Sequence, residues 1–262
     1  MIRIMNSVTE AQARDRGVGE PLTTHELSRY EDFQQASALY RRVFGYSSEE
    51  LALNSNLLSA LVRNGGSAVG VRGADGELIG FAYGFLGSDE SGVFHYSQAA
   101  VVEQHAQGRG IGRLLKLRQR EVVLASGVST MRWAFDPALG RNAHFNFDIL
   151  GAHSAAFVRD YYGRPGTDRL LVDWPLAAGA DPYAEVRAER PPASLAGAEP
   201  GAAIAHGAGR WVVVPTGEAG TARLHDTMQH LHEQGFVLVS CQRVDADVSA
   251  YLAVPAAGGR LR

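Results

Sequence analysis

Three glycines fall at alternate positions in Gln107-Gly108-Arg109-Gly110-Ile111-Gly112, where a β-prone run gives way to an amphipathic one. A bend of that kind leaves main-chain amides uncovered. The helix that follows adds roughly half a positive charge at its N-terminus, so the segment suits a phosphate or a diphosphate. A tight turn chosen only for backbone geometry is the other reading, and the spacing admits both. Two nucleotide loops are set aside. A P-loop requires Gly-Lys followed by Ser or Thr, and here Arg113-Leu114 follows Gly112. The dinucleotide fingerprint needs its third glycine one position later and strands that alternate with helices.

Other reactive residue types are sparse. His95 lies on the run leading to the bend and is a candidate general base, since imidazole titrates near neutral pH; packing is the alternative. Glu103 and His105 flank the bend and read as surface. His225, His230 and His232 lack the one-turn spacing with an intervening acid used by zinc enzymes, so no metal is expected. Cys241 is the sole cysteine, which leaves no disulfide framework, fits a reducing compartment and reads as buried packing.

These residues need elements to hold them. Apolar spacing predicts a helix over 29–44 stopped by Gly45, and a second helix carrying Leu51, Leu57, Leu58, Leu61 and Val62, capped by Ser47 to Glu50. Strands are expected over 67–71 and 77–86 around the turn Gly73-Ala74-Asp75-Gly76, and over 92–102 as the central strand. After the glycines, Ile111 to Ala125 reads as a helix closed by Gly127. Strand 130–135, helix 142–150, and strands 155–162 and 169–174 complete the order ααβββαβαββ. Residues 177–209, rich in Ala, Gly and Pro, read as a linker or loose crossing segment. Strand 211–214, helix 222–234, and strands 236–244 and 251–254 follow it.

The expected organisation is therefore a flexible leader (1–22), a main domain (23–177), a linker (178–209) and a small α/β subdomain (210–262). That subdomain is too short for a confident core of its own. Two roles stand for it: covering a cleft of the main domain, or extending the sheet across a homodimer interface. The chain has 262 residues, 45% hydrophobic and 20% charged, with net charge −3 and no basic run. This composition suits a globular protein with a small-molecule partner and argues against nucleic acid. No apolar segment suits a signal peptide or a membrane span, so the expected location is the cytoplasm.

Gln107, Gly110 and Gly112, together with the element order over residues 24–176, resemble the GNAT superfamily of N-acetyltransferases. The resemblance implies an α+β fold: three layers, with a mixed, mostly antiparallel central sheet flanked by helices, and here a C-terminal α/β extension. It implies acetyl-CoA or another acyl-CoA as co-substrate. Gly108, Arg109, Gly110, Ile111 and Gly112 would bind the diphosphate with Arg113 nearby, and the backbone of Ala100 and Val102 would meet the pantetheine arm. Asn142 is implied as a cofactor contact, with helix capping as its other reading. A tyrosine that protonates the leaving thiolate usually stands where this chain has Phe147; Tyr161 or Tyr162 would substitute, or water. Asp136-Pro137, Arg141 to Asn146, Leu150-Gly151, Asp160 to Gly163 and Asp168-Arg169 resemble a subgroup of long bacterial members, some of which look like amino-acid N-acyltransferases, including N-succinyl transfer linked to amino-acid racemisation. The implied function is transfer of an acetyl or succinyl group to a small primary amine, with protein-lysine acetylation or a non-catalytic CoA sensor as alternatives.

Overall fold

The computed structural model describes residues 22–47, 52–177, 179, 181–214 and 220–257. The expected leader, except Leu22, lies outside them, as do Ser48 to Leu51. The chain divides into two units, Met1–Met131 and Arg132–Arg262.

In the first unit, α1 (Tyr30–Phe44) buries Phe33, Ala36 and Leu39 at helical spacing, and Gly45 ends it at φ +66°. Helix α2 (Ser55–Arg63) starts later than expected. Its cap is Asn54, whose side chain accepts from the amides of Asn56 and Leu57 at 2.9 and 3.1 Å. Strands β2 (Ser67–Arg72), β3 (Leu78–Asp89) and β4 (Gly92–Val102) pair antiparallel in sequence. A short β1 (Thr24–Glu26), not expected from the sequence, pairs antiparallel with β2. Alternation along β3 and β4 sends Phe81, Tyr83, Ala99 and Val101 into a core with Phe33, Leu39 and Leu58. Val69, Val71 and Ala82 instead join Ile111 and Leu115 of α3 (Ile111–Ala125). Helices thus cover both faces of these strands.

The unit boundary falls within β5 (Thr130–Phe135). Beyond it, α4 (Gly140–His144) runs into a π-helical turn, Phe145–Ile149, followed by β6 (His153–Val158) and β7 (Arg169–Pro175). Strand β6 stops short of its expected end, because Asp160 turns the chain at φ 47° and leaves Tyr161 and Tyr162 in a turn. The described residues between 177 and 209 are not loose. They form α5 (Ala184–Arg187), a 3₁₀ turn at Ala193–Gly197 and β8 (Ala203–His206). Strand β9 (Gly209–Val214), α6 (Thr221–Glu233), β10 (Phe236–Arg243) and β11 (Ser249–Pro255) follow. Tyr183 and Leu195 are buried with Trp211, Val239 and Leu252 in one cluster. The Arg187 guanidinium donates to the carbonyls of Phe147, Gly151, Ala152 and Val239 and pairs with Asp181, which ties α5 to the end of the π turn and to β10. Strand orders are β1-β2-β3-β4-β5-β7-β6 in a seven-stranded sheet and β10-β11-β9-β8 in a four-stranded one.

Candidate functional site

Strand β4 ends at Val102, and a 3₁₀ turn at Gln104–Ala106 carries the chain to the glycines. Ala106 is fully buried and anchors the turn, while the Gln107 side-chain amide donates back to the Val102 carbonyl at 3.2 Å. At the other end Ile111 and Leu115 sit in the core, so the start of α3 is held from beneath. Between these anchors Gly108 and Gly110 adopt φ +77° and +80°, where an L side chain is strained. A Cβ at either would meet no atom within 4 Å, so backbone conformation, not crowding, demands glycine.

The amides are what this bend exposes. Arg113 and Leu114 already donate to the Gly110 carbonyl, at 3.0 and 3.1 Å. Among the described residues the amides of Gly108, Arg109, Gly110, Ile111 and Gly112 donate to none. Helix α3 has no side-chain cap and no acid in its first turn, where Arg113 sits exposed, and Arg109 is exposed just before it. Unused donors, the positive end of a helix dipole and two arginines all favour an anion with several acceptor oxygens.

Upstream, β4 carries a bulge. Tyr83 pairs with Ala99 but Gly84 pairs with Ser97, leaving Gln98 unpaired. Ala100 and Val102 lie beyond the bulge, partly buried against the α3-side core.

His95 is withdrawn as a candidate base. It is 1% exposed, its Nε2 lies 2.9 Å from Ser67 Oγ, and burial, with the Lys116 charge second, lowers its pKa to about 4. It is neutral at pH 7 and closed to a soluble amine. Lys116, Ser97, Gln119 and Ser67, passed over in the sequence, share its surroundings. A signal was present, since Gln119 follows Ile111 and Leu115 at four-residue steps on the apolar stripe of α3.

In the second unit Asn142 is buried inside α4, whose N-cap is Leu139, so the capping reading falls. Its side-chain amide makes no hydrogen bond among the described residues. Phe147 is fully buried, edge-on to Phe135 and Tyr251. Tyr161 stacks edge-on with Tyr162 at 4.9 Å, and its amide donates to Thr167. His225 Nδ1 pairs with Asp168 at 2.8 Å.

No protein-family model and no curated protein matches the sequence. Solved structures do. A phosphinothricin acetyltransferase of the GNAT superfamily from Sinorhizobium meliloti, in complex with acetyl-CoA, aligns over 61% of this chain and 90% of its own, with 19% identity and a TM-score of 0.50. This chain has the GNAT fold. The ribosomal-protein-S18-alanine N-acetyltransferase from Escherichia coli aligns over 62% of this chain and 98% of its own, at 16% identity and a TM-score of 0.47. No described helix is long and apolar enough to cross a membrane.

Proposed function

We propose that this protein is an acyl-CoA-dependent N-acyltransferase that moves an acetyl or succinyl group directly to the primary amine of a small metabolite, an amino acid being the favoured class. The observation that carries the proposal is the row of unbonded amides from Gly108 to Gly112 at the start of α3, flanked by Arg109 and Arg113. Their number and charge suit a diphosphate better than a single carboxylate.

The chain's task on this reading is positioning. The amides hold the diphosphate, Gln107 keeps the bend tied to β4, and the backbone at Ala100 and Val102 lines up the pantetheine arm and thioester. A neutral amine then attacks the thioester carbonyl, the N–C bond forms, the C–S bond breaks as the thiolate departs, and the proton shed by the nitrogen passes to solvent while the thiolate takes one up. No side chain becomes acylated. Asn142, with its amide group unused, serves as a further cofactor contact, and Tyr161, with Tyr162 or water as alternatives, protonates the thiolate. Residues 23–177 supply the chemistry in this proposal. The appended residues 210–262 shape the acceptor side or a homodimer contact.

A second reading rests on Phe147. An apolar side chain, fully buried, stands where the resemblance places the proton donor, which favours a CoA-binding sensor without turnover. Thiol release from acetyl-CoA or succinyl-CoA with pooled small amines decides between the two. Release that depends on an amine supports the transferase, CoA binding without release supports the sensor, and absence of both removes the proposal.

A further inference from the structure

Beneath α3, in the first unit, a continuous polar chain runs through the core. Lys116 Nζ donates to Ser97 Oγ at 2.7 Å, and Ser97 Oγ donates to Gln119 Oε1 at 2.8 Å. Gln119 Nε2 donates to Ser67 Oγ at 3.0 Å, and Ser67 Oγ lies 2.9 Å from His95 Nε2. All these side chains are at most 5% exposed, and Gln119 is fully enclosed. The chain joins α3 to β4 and then crosses β3 to β2. It passes over Gly84, where an added Cβ would lie 2.5 Å from His95 Nε2.

The Gln98 bulge explains why polar groups occupy this place. Ala100 and Val102 pack on the α3 side, so without a bulge the odd-numbered Ser97 and His95 would face the opposite core with Ala99 and Val101. One extra residue reverses the alternation. Ser97 and His95 therefore turn toward α3, where Lys116 and Gln119 meet them. Burying a lysine is costly: desolvation lowers its pKa to about 7. A methionine there would pack at less cost, so stability alone does not account for the amine.

We infer that Lys116 and Gln119 are positioning residues which, through Ser97, lock the backbone of β4 at the Gln98 bulge in the arrangement that receives the pantetheine arm. The inference rests on the acyl-transfer reading above and adds to it the group that sets the strand. Neither side chain touches the co-substrate. Their reach is through the β4 main chain, three residues ahead of Ala100 and five ahead of Val102.

The test uses the full chain with Lys116→Met, with Ser97→Ala and Ser97→Thr as a second pair should the first variant fail to fold. Melting curves establish that each variant is folded, and hydrogen exchange follows the amides of residues 97–100. Lys116→Met is expected to speed that exchange at least tenfold. It should raise KM for acetyl-CoA and lower kcat/KM about 10- to 100-fold, as a small misplacement of a reacting group does. Affinity for ADP, which carries a diphosphate but no pantetheine arm, should stay within twofold. Ser97→Ala should behave likewise, and Ser97→Thr, which keeps the hydroxyl, should recover most of the loss.

Unchanged exchange at residues 97–100 overturns the inference whether or not the wild type turns over. Faster exchange with unchanged kcat/KM overturns it too, as does a parallel loss of ADP affinity, which would mean general damage. A wild type that neither binds acetyl-CoA nor releases thiol refutes the acyl-transfer reading instead. The exchange measurement then still decides whether Lys116 holds the strand.

Discussion

Gly110 separates conformation from contact. An added Cβ there meets open space, yet φ is +80°. Gly110→Ala should therefore cost about 1 kcal/mol of stability by urea unfolding and weaken CoA binding at least tenfold by calorimetry, because restoring an ordinary φ re-aims the amides. Unchanged affinity would mean that the bend does not hold the ligand. Lys116 and His95 predict a pH dependence. Both pKa values fall below their ordinary ones, to about 7 from 10.5 and to about 4 from 6.5. The unfolded chain then binds more protons than the native one between each pair of values, so stability rises with pH through both windows. Lys116→Met should flatten the slope between pH 7 and 10.5, read from urea midpoints across pH. A slope unchanged by the substitution would show that Lys116 titrates normally.

Among the elements, those with strong periodicity are legible in the sequence. The α1 helix, the β2–β3 hairpin, β4, α3 and β5 follow from apolar spacing and glycine punctuation, and their expected ends are right to within a few residues. Local polar chemistry decided the misses. Asn54, not Ser47 to Glu50, caps α2, and Asn54→Ala should cost about 1 kcal/mol in thermal unfolding. Strand β1, Thr24–Glu26, is too short to show alternation. The Gln98 bulge is silent in sequence because it depends on pairing with β3, and with it went the link from His95 to Lys116. Residues 177–209 misled by composition. Their small residues leave Arg187, Tyr183 and Leu195 to supply the fixed points, through guanidinium bonds and burial that no local pattern announces.

For the molecule as a whole, the division after Met131 is not one that composition suggested. Inside the second unit the π turn and the last strands share a core: Phe147 packs on Tyr251, the Tyr251 hydroxyl donates to the Pro137 carbonyl at 2.7 Å, and Asp148 accepts from Ser240 and from the Cys241 amide. Arg187 ties α5 to the π turn and β10 through the carbonyls of Phe147 and Val239. Arg187→Met should cost roughly 3–5 kcal/mol, because several buried acceptors and Asp181 lose their donor together. Ending the chain after residue 177 should leave the amides of residues 132–177 without slow hydrogen exchange; retained slow exchange there would show that these residues do not need those strands. The glycine bend was legible from its spacing alone, while the amides left without acceptors became visible only with the backbone in place. Those amides are best tested by following the backbone resonances of residues 108–112 while CoA is titrated in. Saturable shifts centred on Gly108, Gly110 and Gly112 are predicted, and saturable binding that leaves these resonances unmoved would contradict the assignment.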